Sequence, residues 1–261
     1  MLITRTLERM LPPTSRSPQV VHEAMRYCVL SGGKRFRPLL ALGGCEAVGA
    51  PVRHALPVAC ALELVHTYSL VHDDLPAMDN ADERRGQPTC HRKFGEGNAI
   101  LVGDALLTLA FELLGRNGTP NSLPMVRLIG QACGTGGLIG GQVLDLQTFS
   151  RTWAGTERAL REIAQRKTAA LITASVVTGA LAGKANRAAI TKLERYGQRV
   201  GLAFQLIDDL HDHEGLAQEL GADEARAEAN RLLVQATKVL EPFGKRAALL
   251  RSLAAWLVST A

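Results

Sequence analysis

The chain has 261 residues, of which 46% are hydrophobic and 21% charged, enough to fill a sizeable core and too apolar for a disordered chain. Lys and Arg exceed Asp and Glu by 30 to 25; this +5 balance suits an anionic ligand, and no basic stripe interleaved with aromatics marks a nucleic-acid binder. Aromatics are only 4%, and strand-like alternation of β-branched residues is absent, so the composition predicts an all-α protein.

In chain order, helices are predicted over 18–31, stopped by Gly32-Gly33, and over 36–48, where Pro38 is tolerated in the first turn. A long helix over 52–74 runs into an acidic cluster, His72-Asp73-Asp74-Leu75-Pro76-Ala77-Met78-Asp79. Residues 80–97 read as a loop rich in charge, Gly and Pro. Helix resumes over 98–115, a turn covers 116–124, and a helix over 124–147 is interrupted by Gly134, Gly136, Gly137, Gly140 and Gly141. Helices over 156–182 and 186–212 follow, the latter ending on Asp208-Asp209-Leu210-His211-Asp212, and an Ala-, Leu- and Arg-rich helical part runs from about 217. No repeat, low-complexity segment or linker divides the chain, so one helical domain over 1–261 is the simplest architecture.

The five cysteines are scattered with no C-x-x-C pair, as expected of reduced, buried thiols in a cytoplasmic protein. The N-terminal MLITRTLERMLPP is too charged for a signal peptide. The uncharged run Thr168–Gly183 is shorter than the roughly 20 residues of a membrane span, so no span is expected.

Carboxylates at the ends of apolar helices are costly unless neutralised, and hard divalent cations that share their shell with phosphates are the natural partners. Two such clusters point to several metal ions around a polyphosphate. Asp208 and Asp212 are four apart and share a helix face, with Asp209 beside it; a solvated acidic helix end is an equal alternative for this cluster alone. Asp73 and Asp79 are six apart and cannot share a face of a regular helix. Pro76 should end the helix between them, so an irregular turn must bring Asp79 back toward Asp73; the bland alternative is an Asp-rich surface loop. His66 lies two turns before Asp73, where a core histidine is commoner than a ligand. Lys34, Arg35 and Arg37 at a helix start, and Arg84-Arg85 after the first cluster, each read alone as solvated charge. Taken with the carboxylates they describe two anionic ligands, one held through metal and one directly by cations.

The segments GGKRFRP, HTYSLVHDDLPAMDNADERRGQPT, GDALL, GGQVLDL, RKTAALI and FQLIDDLHD occur in this order over nearly the whole chain. Their set resembles the trans-isoprenyl diphosphate synthase family, most closely its bacterial farnesyl diphosphate synthases. The resemblance implies a bundle of mostly antiparallel helices around a deep cavity, and a homodimer. It implies condensation of isopentenyl diphosphate with dimethylallyl and then geranyl diphosphate, the allylic diphosphate being held by three Mg²⁺. Asp73, Asp74, Asp79, Asp208 and Asp209 would be the metal side, with Asp212 nearby, and Gln142 and Asp145 would support metal-bound waters. Arg84 would touch the allylic diphosphate, and Lys34, Arg37, His66 and Arg85 would hold isopentenyl diphosphate. Lys167, Thr168 and Gln205 would line the reacting centre. Tyr68, five residues before Asp73, would floor the product pocket and favour a fifteen-carbon product over geranylgeranyl diphosphate, or would only pack the core.

The chain departs from the family after the second cluster, where a segment containing a diphosphate-binding lysine is missing between Asp212 and Leu216. A true deletion, compatible with a non-catalytic synthase-like subunit, competes with an omitted mobile lid, which is the preferred expectation. A Cα–Cα separation far above 3.8 Å across 213–218 would mark the latter. A His-Asp phosphohydrolase is disfavoured by the paired aspartates, and a terpene cyclase by the absence of its usual second motif.

Overall fold

The computed structural model describes residues 2–116, 121–148 and 156–260. Its helices are α1 (Leu2–Met10), α2 (Gln19–Leu30), α3 (Phe36–Ala47), α4 (Leu56–Asp73), α5 (Cys90–Phe94), α6 (Glu96–Gly115) and α7 (Ser122–Cys133). They continue as α8 (Leu138–Thr148), α9 (Glu157–Ile163), α10 (Ala170–Ala182), α11 (Arg187–Asp212), α12 (Gly215–Leu220), α13 (Ala222–Val239) and α14 (Ala248–Val258). The protein is all-α, with one small ladder among the described residues, β1 (Glu83–Arg84) against β2 (Gln87–Pro88).

One expectation is corrected. The stretch 80–97 is not simply loop: it holds the ladder and α5. Arg85 (φ 55°) and Gly86 (φ 72°) both occupy the left-handed region, which allows a two-residue hairpin turn whose twist matches the strands. The interruption expected in 124–147 is present, the chain breaking at Gly134–Gly137 between α7 and α8; a Cβ on Gly137 would lie 2.1 Å from the Ala132 carbonyl oxygen. After α11, His213 stops the helix with φ 57°, the Glu214 N–H donates to the Asp209 carbonyl at 3.1 Å, and α12 follows at once. Part of the expected turn over 116–124 lies outside the described residues.

The chain divides into two compact units, Met1–Pro38 with Leu56–Thr119, and Leu39–Ala55 with Pro120–Ala261. In the first, α4 is the central helix, packed against α1, α2 and α6. Its sequence is apolar on nearly every side, and residues from Val58 to Val65 are buried without interruption, as expected of a helix enclosed by neighbours. α6 is long and apolar enough to cross a membrane by length and composition, yet it packs against α2, α4 and α5 and buries Ala99, Val102, Gly103 and Leu106. Those contacts are those of a core helix.

In the second unit α11 packs on α10 and α13. Close approach depends on small residues. A Cβ on Gly201 would lie 2.5 Å from the Cα of Ala169, and one on Gly197 would lie 2.7 Å from the Cα of Thr173. Tyr196, fully buried, donates its hydroxyl to the Leu250 carbonyl at 2.7 Å and pins α14 to α11.

Candidate active site

In the first unit, α4 ends at Asp73, as Pro76 requires. The chain then folds back: the Asp79 N–H donates to the Asp73 carbonyl at 2.8 Å, and the Ala81 N–H to the Asp74 carbonyl at 3.2 Å. The irregular turn expected from the sequence is thus present. Asp73 is half-buried and Asp79 exposed. Asp74 differs from both. It is 3% exposed and gripped by Arg84, whose Nε lies 2.8 and 3.0 Å from its two carboxylate oxygens and whose Nη2 lies 2.7 Å from Oδ1. Burial pulls the Arg84 guanidinium down, but its bond to Asp74 and the charges of Asp73 and Asp79 raise it overall. Two residues assigned separately to metal and to diphosphate are therefore partners of each other in this structure.

The cations of GGKRFRP divide in the same way. Lys34 is exposed and Arg37 is 8% exposed. Arg35, left unassigned by the sequence reading, turns inward: its guanidinium pairs with Glu63 of α4, and its Nη2 donates to the Val29 carbonyl at 2.6 Å. Both side chains of this pair are at least nine-tenths buried, at 9% and 2% exposed. Arg85 holds the other side of the loop. Its Nη1 donates to the Gly32 carbonyl at 2.5 Å, and its guanidinium lies so close to Gly33 (φ 116°) that a Cβ there would be 2.7 Å from Cζ. The positive φ favours glycine at this position, and a side chain there would displace the Arg85 guanidinium. His66 is held well below the usual histidine range by burial and then by Arg37, Arg85, Arg84 and Arg35. A neutral imidazole beside four arginines adds hydrogen-bonding capacity without adding charge. Such a cluster, with Glu63 as its internal counter-ion, is an anion cradle.

Tyr68 is 5% exposed, with its ring edge-on to His72 at 5.9 Å between centroids. His72 in turn lies 3.0 Å from the Ile100 carbonyl through Nε2 and fills the notch over Gly103, where a Cβ would be 2.0 Å from Nε2. The Tyr68 ring is thereby keyed to α6, and GDALL supplies the glycine that makes room.

In the second unit the backbone between α9 and α10 is a π-helical segment, Ala164–Ala169, which carries Lys167 and Thr168. Such wide turns alter the register in which side chains emerge and recur at functional sites. Thr168 donates a short hydrogen bond to Gln205 Oε1, and Gln205 Nε2 donates to Asp209 Oδ1 at 2.6 Å. The Leu216 N–H donates to Asp209 Oδ2 at 2.8 Å. Burial pushes the Asp209 carboxyl up to about 6, against the pull of its hydrogen bonds to Gln205, Leu216 and Ala217. Lys167 pairs with Asp145 at 2.5 Å, and a Cβ on Gly141 would lie 2.3 Å from the Lys167 nitrogen, so α8 lies directly against the π segment. Gln142 is buried. Asp208 and Asp212 are exposed on α11. Glu214, which the sequence reading did not single out, is raised by burial, then by Asp212, Asp145 and Asp208. The short join after α11 brings that carboxylate into the acidic field.

The polyprenyl synthetase family model matches residues 18–244. The chain belongs to the polyprenyl synthetase family. A dimethylallyltranstransferase of Fischerella ambigua is 43% identical, over 94% of this chain and 78% of its own length. A chloroplastic geranylgeranyl pyrophosphate synthase of Capsicum annuum is 45% identical over 79% of this chain; the chain spans only 57% of that relative's length. The crystal structure of an FPP/GFPP synthase from Zymomonas mobilis superposes with a TM-score of 0.92 at 38% identity, covering 98% of this chain and 94% of the other. This polyprenyl synthetase therefore has the isoprenoid-synthase helical fold expected from its sequence.

In each unit the aspartate cluster offers donor chemistry that fits a hard divalent cation. Asp73 with Asp79, and Asp208 with Asp212, supply only carboxylate oxygens. Among the described residues no group of three His, Cys, Asp or Glu side chains is drawn together to hold an ion unaided. A cation that brings phosphate oxygens and water to complete its shell suits such sparse ligation. Asp74 and Asp209 are the exceptions, since both oxygens of each already accept hydrogen bonds. Asp209→Ala is expected to lower stability by about 1–2 kcal/mol through loss of a helix cap, whereas Asp208→Ala should stay within about 0.5 kcal/mol. Thermal denaturation of the two variants measures the difference.

Proposed function

We propose that this chain, a prenyltransferase by family, joins isopentenyl diphosphate to dimethylallyl and then geranyl diphosphate and releases farnesyl diphosphate. Lys34, Arg37 and Arg85, with neutral His66, would bind the diphosphate of isopentenyl diphosphate directly. Asp73, Asp79, Asp208 and Asp212 would carry Mg²⁺, with Asp74 and Asp209 behind them and Gln142 and Asp145 supporting bound water. When bound, Mg²⁺ would supply charge stabilisation to the departing diphosphate. Arg84 would add a guanidinium to that diphosphate while retaining Asp74. Thr168 directs its O–H toward Gln205 Oε1, so its oxygen would present lone pairs, which stabilise an allylic cation without the basicity of a free amine. Lys167, already paired with Asp145, would add positive charge near the leaving group rather than act as a nucleophile. The isopentenyl double bond attacks the allylic carbon, a new C–C bond replaces the broken C–O bond, and the released diphosphate accepts the proton lost from the adduct.

The observation that supports a fifteen-carbon product is the Tyr68 ring, nearly buried on α4 and keyed to α6 through His72. At about 1.5 Å per residue it lies roughly 7–8 Å along the helix from Asp73, a depth suited to a pocket floor. The Capsicum annuum relative favours a second reading, geranylgeranyl diphosphate as product. The family match over residues 18–244, which takes in parts of both units, supports one domain. A homodimer in the cytoplasm completes the reading.

Incubation with isopentenyl and geranyl diphosphates, with and without Mg²⁺, followed by chromatography of dephosphorylated products, tests it. Farnesol from the Mg²⁺-containing reaction is expected. Geranylgeraniol as the main product would establish the second reading, and no turnover would leave a synthase-like subunit. Tyr68→Ala and Tyr68→Ser should each shift product toward longer chains; an unchanged spectrum in both removes the floor.

A further inference from the structure

Thr89 stands immediately after β2, at the start of α5, and is 2% exposed. A threonine at a helix start ordinarily turns its hydroxyl to the first free N–H groups of that helix. This one makes no such bond. Its Oγ1 donates instead to the Ala81 carbonyl at 2.8 Å and lies 3.0 Å from His91 Nδ1. A hydroxyl has one proton, and a carbonyl can only accept. The Ala81 bond uses that proton, so His91 Nδ1 must carry its own and donate to Thr89. His91 is 5% exposed, and its Nε2 finds no partner among the described residues, so the ring is oriented through Nδ1. The backbone of Thr89 makes a second tie. Its N–H donates to the Asp82 carbonyl at 2.9 Å, one step beyond the Glu83–Pro88 pair of the ladder. One residue thus grips two successive carbonyls. Ala81 is where the acidic turn ends, its own N–H donating to the Asp74 carbonyl at 3.2 Å, and Asp82 is where the hairpin bearing Arg84 and Arg85 begins. Arg84 returns from that hairpin to fork Asp74. Asp74, Ala81, Thr89 and Arg84 therefore close a ring of hydrogen bonds and backbone that holds aspartates and arginines in register. The Asp82–Arg92 ion pair beside it has exposed side chains and adds little.

We propose that Thr89 is a positioning residue for prenyl transfer: its hydroxyl, oriented by His91, sets the spacing between the carboxylates of the first acidic turn and the guanidinium groups of Arg84 and Arg85. The role rests on the diphosphate-binding reading of those groups, through which Thr89 acts without contact with substrate. Asp73 and Asp79 would reach the allylic diphosphate through metal while Arg84 reaches it directly, so both kinds of group must meet one anion at once. Removing the hydroxyl leaves a buried carbonyl and a buried imidazole N–H without their common partner. The acidic turn and the hairpin are then free to part, and a displacement of about 1 Å in groups that position substrate can cost about 10²-fold in rate.

Thr89→Val keeps the shape of the side chain and removes the hydroxyl, whereas Thr89→Ser keeps the hydroxyl. Isothermal titration with inorganic pyrophosphate, with and without Mg²⁺, should show several-fold weaker binding in Thr89→Val and wild-type affinity in Thr89→Ser. Turnover of isopentenyl and geranyl diphosphates should fall by about 10–10²-fold in Thr89→Val, at a temperature where circular dichroism shows it folded, and recover in Thr89→Ser. Thr89→Ala leaves room for a water between the Ala81 carbonyl and His91 Nδ1, so it should fold even where Thr89→Val does not, with an intermediate loss. Long-range ¹H–¹⁵N correlation on histidine-labelled protein, with His91→Phe identifying the ring, should show a protonated Nδ1 in the wild type and a shifted signal in the hydroxyl-free variants. A bare Nδ1 in the wild type would overturn the relay. Wild-type pyrophosphate affinity in folded Thr89→Val, or in Thr89→Ala where Thr89→Val does not fold, would overturn the positioning role and leave the farnesyl diphosphate reading intact. A wild type that binds pyrophosphate without turnover would remove that reading alone, and one that does neither would remove both.

Discussion

Glu63→Ala is expected to lower the melting temperature by about 10 °C, a loss of about 3–5 kcal/mol, because it strands the Arg35 guanidinium inside the first unit. The pair is buried on both sides and tied to the Val29 carbonyl, so water cannot readily take the place of the carboxylate. The consequence reaches beyond stability. Arg35 has φ 50°, and the two glycines before it are also left-handed, so the loop that presents Lys34 and Arg37 relies on side-chain anchors to hold its shape. Glu63→Leu combined with Arg35→Met separates the two effects. Replacing a buried ion pair by apolar side chains of similar size should restore most of the stability. It should not restore the loop, and affinity for inorganic pyrophosphate is expected to stay at least tenfold below wild type by calorimetry. Recovery of both quantities would reduce Glu63 to a packing residue.

The helices and both acidic clusters were legible because apolar periodicity and proline rules act locally. Pro76 ends α4 and forces Asp79 back over Asp73, and the glycines after Cys133 break a helix for reasons visible in the sequence. What stayed hidden depends on partners distant in the chain. Glu63 lies inside an apolar helix, where nothing nearby announces that Arg35, 28 residues earlier, neutralises it. The hairpin at 83–88 was read as loop because four strand residues give no period, and its signal was the single Gly86 after Arg85. The π segment left no trace in composition; its effect on Thr168 and Gln205 is a matter of register between α10 and α11. The turn at His213 has no signal in the sequence beyond the short interval between Asp212 and Leu216, and its hydrogen bond to the Asp209 carbonyl becomes visible only in the fold. Glu214 acquires its place among Asp145, Asp208 and Asp212 only through that turn.

The sequence also presents each Asp-Asp pair as two equivalent ligands, and the side-chain contacts divide the labour. In the first motif Asp74 is buried and forked to Arg84, while Asp73 is half-exposed at the helix end. In the second, Asp209 is buried against Gln205 and the start of α12, while Asp208 is exposed. One member of each pair is buried in side-chain and backbone contacts and the other is more exposed. Asp73→Asn is therefore expected to reduce turnover by about 10²–10³, the range for losing one group that stabilises transition-state charge. Its melting temperature should be unchanged, since a substitution at a partly exposed carboxylate costs within about 0.5 kcal/mol. Arg84→Ala should do the reverse first. It leaves the Asp74 carboxylate, whose side chain is only 4% exposed, without its guanidinium, a loss of about 1–3 kcal/mol because Arg84 is itself 37% exposed and water can partly replace it. Adding Asp74→Ala to Arg84→Ala removes the stranded charge, so the double variant should be more stable than Arg84→Ala alone, by about 1–3 kcal/mol. Denaturation midpoints and steady-state turnover on the same preparations decide the matter. If Asp74→Asn abolished turnover at an unchanged melting temperature while Asp73→Asn left activity intact, the roles would be reversed, and the Arg84 fork would be a resting contact that the metal-bound state releases.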